Sequence, residues 1–75
     1  MSPALSSNKI KLFPKPGTGR VEKTIAPEQP GRVQFQGSYW PARLYDPECQ
    51  ATLLPDEAIA VVGRQGITML VLPIG

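Results

Sequence analysis

Seventy-five residues form one domain at most, and a chain this short buries only a modest share of its surface, which argues against a large cleft and for an economical closed sheet. A single cysteine and no histidine exclude an internal disulfide and the usual zinc ligand sets, and they leave acid–base or nucleophilic catalysis without its commonest parts. The net charge of +2 is too small to announce a nucleic-acid partner, but it is unevenly spread: residues 1–23 carry Lys9, Lys11, Lys15, Arg20 and Lys23 against Glu22 alone, whereas residues 24–75 carry three basic and five acidic side chains.

Residues 1–17 are rich in Ser, Pro, Asn and Lys and end on Lys15, Pro16 and Gly17, which predicts a flexible basic arm ahead of a barrel at residues 18–75. The arm reads as a solvated tail, with contact to an anionic membrane surface or nucleic acid as the alternative. Within it, Ile10, Lys11, Leu12 and Phe13 have strand character, but Pro14 and Pro16 are expected to stop it. A first strand follows, in which Val21, Lys23 and Ile25 alternate with Arg20, Glu22 and Thr24. Two prolines and Gly31 then force a turn, because proline removes ladder donors. Val33 and Phe35 mark the second strand, and Gly37 with Ser38 closes a tight hairpin into the third, where Trp40, Ala42 and Leu44 share a face and Pro41 marks a kink.

Residues 46–57 hold two prolines and no helical period, so they form an irregular connection with one turn near residues 48–51 and Leu53 or Leu54 packed inward. Ile59 and Val61 define the fourth strand, residues 63–66 a turn, and Ile67, Met69 and Val71 the inward face of the fifth. Leu70 and Leu72 then point outward and need a cover: the N-terminal arm, the connection, or a second protein. Burial of this strand on both faces is the other reading.

Five short strands with a loop between the third and fourth predict an all-β fold, a small five-stranded OB-type barrel, with an SH3-like barrel as the alternative. From Gly19 to Leu72 the spacing resembles the C-terminal soluble OB-type domain of the NfeD family. The residues that carry the resemblance are Gly19, Val21, Ile25 and Pro27 in the first strand, Gly31, Val33, Gly37, Trp40, Pro41 and Ala42 in the next two, and Ile59, Val61, Val62, Gly66, Met69 and Val71 in the last hairpin. Lys23 stands where the family has threonine, Met69 where leucine is frequent, and Asp56 where glycine is expected. Members of the family usually carry transmembrane segments before the barrel and some carry a serine protease domain. This chain is expected to be the free-standing barrel. The resemblance implies a non-catalytic interaction module that works with stomatin- or flotillin-like (SPFH) membrane scaffold proteins.

No run of eighteen apolar residues occurs, so the chain is expected to be cytoplasmic, without a membrane span of its own, and recruited to the membrane surface through a partner. Candidate partner contacts are Tyr39, Trp40, Tyr45, Leu70 and Leu72, with self-association as a further use of the same surface. Trp40 also reads as core, since Ala42 and Leu44 share its face. The second functional reading is single-stranded nucleic-acid binding, with Phe35 and the two tyrosines as stacking surfaces and Arg32 and Arg43 on phosphates. Catalysis is not expected: Ser38 has no base beside it in sequence, and Asp46, Glu48, Asp56 and Glu57 read as solvated loop charges. Cys49, beside Glu48 and near Asp46, reads as a structural residue because those carboxylates oppose a thiolate. No cofactor or metal is expected.

Overall fold

Alternation of apolar and polar side chains turns every second residue of each strand toward a shared interior, and the computed structural model, which describes residues 9–74, closes that pattern into a barrel. The strands are β1 (Ile10–Lys23), β2 (Gly31–Phe35), β3 (Ser38–Leu44), β4 (Ala58–Gln65) and β5 (Thr68–Pro73). Their order around the barrel is β1-β2-β3-β5-β4, and β4 pairs back onto β1. All neighbours are antiparallel except β3 and β5. That parallel pair is reached by a crossover through β4, the connection a parallel pair requires, and the whole is consistent with the expected OB-type barrel.

Val21, Val33, Phe35, Ala42, Leu44, Ile59, Val61, Met69 and Val71 converge in one dry core. Ile25 and Leu53 close one end of it: they form an isolated bridge, with Ile25 N–H donating to Leu53 O at 3.0 Å and Leu53 N–H to Ile25 O at 2.8 Å. The irregular connection is therefore the plug of the barrel. Its turn is anchored by the Asp46 carboxylate, which accepts the Glu48 N–H at 2.9 Å, so the turn begins two residues ahead of the expected one. Cys49 is half-buried and packs against the core.

Two hairpins turn within two residues each. Gln36 and Gly37 both have positive φ, 53° and 80°, the signature of a type I′ turn, whereas Gly66 alone is positive at 63° in the turn it shares with Ile67, which is type II′. Both types match the right-handed twist of the strands they join. Ile67 consequently sits in the turn and is 66% exposed, rather than facing inward as the first residue of β5.

The structure corrects the reading of the arm. Residues 1–8 lie outside the described residues, but β1 begins at Ile10, eight residues before the expected barrel boundary. Pro14 and Pro16 do not stop the strand. The register with β4 runs Ile10 with Gln65, Lys11 with Arg64 and Leu12 with Gly63, then resumes at Gly17 with Val61, so four residues of β1 span one of β4. The prolines stand in this bulge, where no ladder donor is asked of them.

The same segment corrects the reading of Leu70. That side chain is 0% exposed and is not an available contact. Its register partner on β4 is Gly63, and Leu12 lies over that glycine so closely that an added Cβ would come within 3.0 Å of Leu12 Cδ2 and 2.5 Å of Lys11 O. From the other side, Arg43 on β3 reaches across β5 to hydrogen-bond Gln65 on β4. The cover comes from within the chain, and β5 is buried on both faces through Met69, Leu70 and Val71.

Candidate binding site

The end of the barrel away from the Ile25 and Leu53 plug is open. Alternation along the start of β1 puts Lys11 and Phe13 on its inner side and Ile10 and Leu12 on its outer side. Phe13 then stacks on Phe35 of β2, with ring centroids 6.4 Å apart and planes 10° from parallel. Gly17 makes room for the Phe35 ring, since a Cβ there would stand 2.6 Å from Phe35 Cε1. Trp40 of β3 is half-buried against the core and its indole N–H donates to Phe35 O at 3.2 Å, which holds the two aromatic residues together.

These side chains, with Met69, line a mouth of about 280 Å³ whose polar lining residues are Lys11, Gln36 and Arg64. Lys11 and Arg64 are register partners and both are exposed. Like charges directly opposite each other on a ladder are destabilising, and no acidic side chain lines this mouth to offset them. Among the described residues the ion pair present is Arg32 with Glu22, 3.5 Å apart, on the outer face of β1 and β2. Beside the mouth, Ile10 at 48%, Leu12 at 53% and Ile67 at 66% are exposed apolar side chains grouped by the register of β1, β4 and the β4–β5 turn.

A second, more polar hollow of about 460 Å³ lies on the outside of β1, β2 and β3 and is lined by Lys23, Pro30, Gly31, Arg32, Tyr39 and Pro41. Tyr39 is 57% exposed there. The register continues the face with Arg20, Gln34 and Tyr39 side by side.

The residues singled out from sequence do not form one surface. Tyr39 is exposed, and Trp40, Tyr45 and Leu72 are half-buried. Leu70 is enclosed, as described above, and Phe35 is 8% exposed with its ring against Phe13, so it offers no open face for stacking a base. Arg32 is paired with Glu22 and Arg43 is engaged with Gln65. Lys11, Phe13 and Arg64 were not among the candidates. The alternation of Lys11 and Phe13 with Ile10 and Leu12 is the signal that points to them, and the prolines that follow obscured it.

Asp46, Glu48, Asp56 and Glu57 are all exposed. Among the described residues, no three of His, Cys, Asp and Glu converge where a metal ion would sit. No helix among the described residues is long and apolar enough to cross a membrane. Compared with family models, curated proteins and solved structures, the chain has no match.

Proposed function

We propose that this barrel is a non-catalytic protein-interaction module of the NfeD-like, OB-type kind, and that it partners a stomatin- or flotillin-type membrane scaffold protein. The observation that carries the interaction reading is the cluster of Ile10, Leu12 and Ile67 beside an aromatic mouth, since large apolar side chains held in water by a rigid ladder gain free energy when a partner covers them. The resemblance from Gly19 to Leu72 supplies the class of partner. The test is a photoreactive residue at position 12 in intact cells. An adduct with a scaffold protein of that class is the expected result; adducts formed only from a probe at Tyr39, in the separate hollow with Lys23 and Arg32, would overturn it.

A second reading rests on the hollow around Lys23, Arg32 and Tyr39, which lies on the strand-two and strand-three face that OB barrels use for oligonucleotides. Under this reading, a single-stranded oligonucleotide binds, the affinity falls as salt rises from 50 to 200 mM, by roughly 0.7 logarithmic units per logarithmic unit of salt for each phosphate neutralised, and Tyr39→Ala removes the binding. Salt-independent absence of a shift ends it.

A further inference from the structure

The mouth has a property that the apolar cluster alone does not explain. Lys11 and Arg64 face each other across the β1 and β4 ladder, at the rim of a floor made of Phe13, Phe35, Trp40 and Met69. Such a pair disfavours the fold that contains it, and local rules are broken in this way where a ligand restores the balance.

The backbone beside this pair is open as well. β1 pairs with β2 only at residues 20–23, while its start pairs with β4 alone. On the side turned toward the β2–β3 hairpin, residues 10–13 have no strand partner among the described residues, and this is the side on which the mouth opens. An unpaired strand edge is a template for an incoming extended chain, and alternate side chains of that chain point into whatever pocket lies alongside.

Building on the protein-interaction reading, we infer that the mouth takes an extended acidic segment of the partner protein, added as a strand along residues 10–13 of β1. A carboxylate of that segment sits between Lys11 and Arg64, and the apolar side chain two positions along, on the same face of the added strand, rests on Phe13, Phe35, Trp40 and Met69. The volume admits about one large side chain. A nucleic acid fits less well, because the rings of Phe13 and Phe35 already lie against each other and leave no open face on which a base could stack. A second copy of this chain fits less well again: its own edge brings Lys9, Lys11 and Lys15 toward the same two cations, and its prolines at 14 and 16 interrupt pairing. The edge is thus guarded against itself and open to an acidic chain.

The test titrates the full chain against a fluorescein-labelled eight-residue peptide in which Asp or Glu and Leu or Phe take turns at every second position, with Ser or Thr between them, read by anisotropy. The same peptide with Asn and Gln in place of the acids, a thymidine oligonucleotide and phosphatidylserine vesicles run alongside. The acidic peptide binds, each of Lys11→Gln and Arg64→Gln weakens it by about tenfold, and the amides of residues 10–13 gain protection from exchange in the complex. The doubly reversed chain, Lys11→Glu with Arg64→Glu, prefers a Lys-containing version of the peptide. Binding that ignores both substitutions, or that leaves residues 10–13 unprotected, overturns the inference, as does a preference for the oligonucleotide or the vesicles. If the cations serve only to block self-pairing, both glutamine variants dimerise and no peptide binds, which also overturns it. Adducts from position 12 with a scaffold protein, together with a flat peptide titration, remove the acidic segment and leave the interaction module standing; loss of both removes both.

Discussion

Leu70→Ala is the sharpest test of how the start of β1 contributes to the fold. Leu70 lies on the outside of β5, where alternation alone would leave it in water, yet it is 0% exposed beneath Leu12, Gly63 and the reach of Arg43 to Gln65. Removing its side chain beyond Cβ takes away about 2 to 2.5 kcal/mol of transfer free energy, and the space left behind raises the cost toward about 3 to 5 kcal/mol if the arm does not settle into it. A domain of this size has only about 4 to 11 kcal/mol in total. The loss therefore lowers the melting temperature by about 10 °C or more. Urea unfolding followed by the fluorescence of Trp40, the chain's one tryptophan, reports the shift in midpoint directly, with an unchanged slope as the check that only stability has moved. Tyr39→Ala, on an exposed side chain, is the control and moves the midpoint by no more than about 0.5 kcal/mol. If Leu70→Ala behaves like that control, the residue is not covered by its own chain and the account of the arm is wrong.

Gly63→Ala and Gly37→Ala separate two uses of glycine. At Gly63 the new Cβ meets Lys11 O at 2.5 Å and pushes β1 off β4, so a loss of about 1 to 3 kcal/mol is expected together with faster amide exchange at residues 10–12; at Gly37 nothing lies within 4 Å, and only the positive φ of 80° costs, by about 1 kcal/mol with exchange at residues 10–12 unaltered. Lys11→Gln relieves its opposition to Arg64 and raises stability by about 0.2 to 1 kcal/mol in low salt, a gain that shrinks as salt is added; a loss of stability would show that the two cations do not oppose each other. Trp40→Phe keeps the ring against the core but removes the donor to Phe35 O, and about 1 kcal/mol of destabilisation is expected in thermal unfolding followed by circular dichroism.

Most of the barrel was legible because a half-buried strand writes its burial into every second residue. Val21, Val33, Ala42, Leu44, Ile59, Val61, Met69 and Val71 were all placed inside by period alone, and all are buried. Short-range turn chemistry was legible for the same local reason at Gly37, where the expected hairpin forms. It was less so at Gly66: residues 63–65 of the expected four-residue turn belong to β4, and the chain reverses at residues 66–67 instead, which takes Ile67 into the turn.

The binding mouth was not legible. Pro14 and Pro16 are local signals against a strand, and they are overruled by a bulge that exists only because β4 lies alongside and fixes the register on both sides of them. Leu70 reads as outward by its period, which is correct, and as in need of a cover; the period left the arm, the connection and a second protein all open, and the cover comes from the arm, nearly sixty positions earlier. Lys11 and Arg64 are unremarkable as separate cations, and become a paired feature only through that same non-local register. Periodicity reports which face of a strand an apolar core requires; it carries no information about which distant segment lies beside it. What the chain by itself determined was the inside of the barrel, and what tertiary pairing decided was its outside, including the one end where charge, aromatic rings and an open strand edge meet.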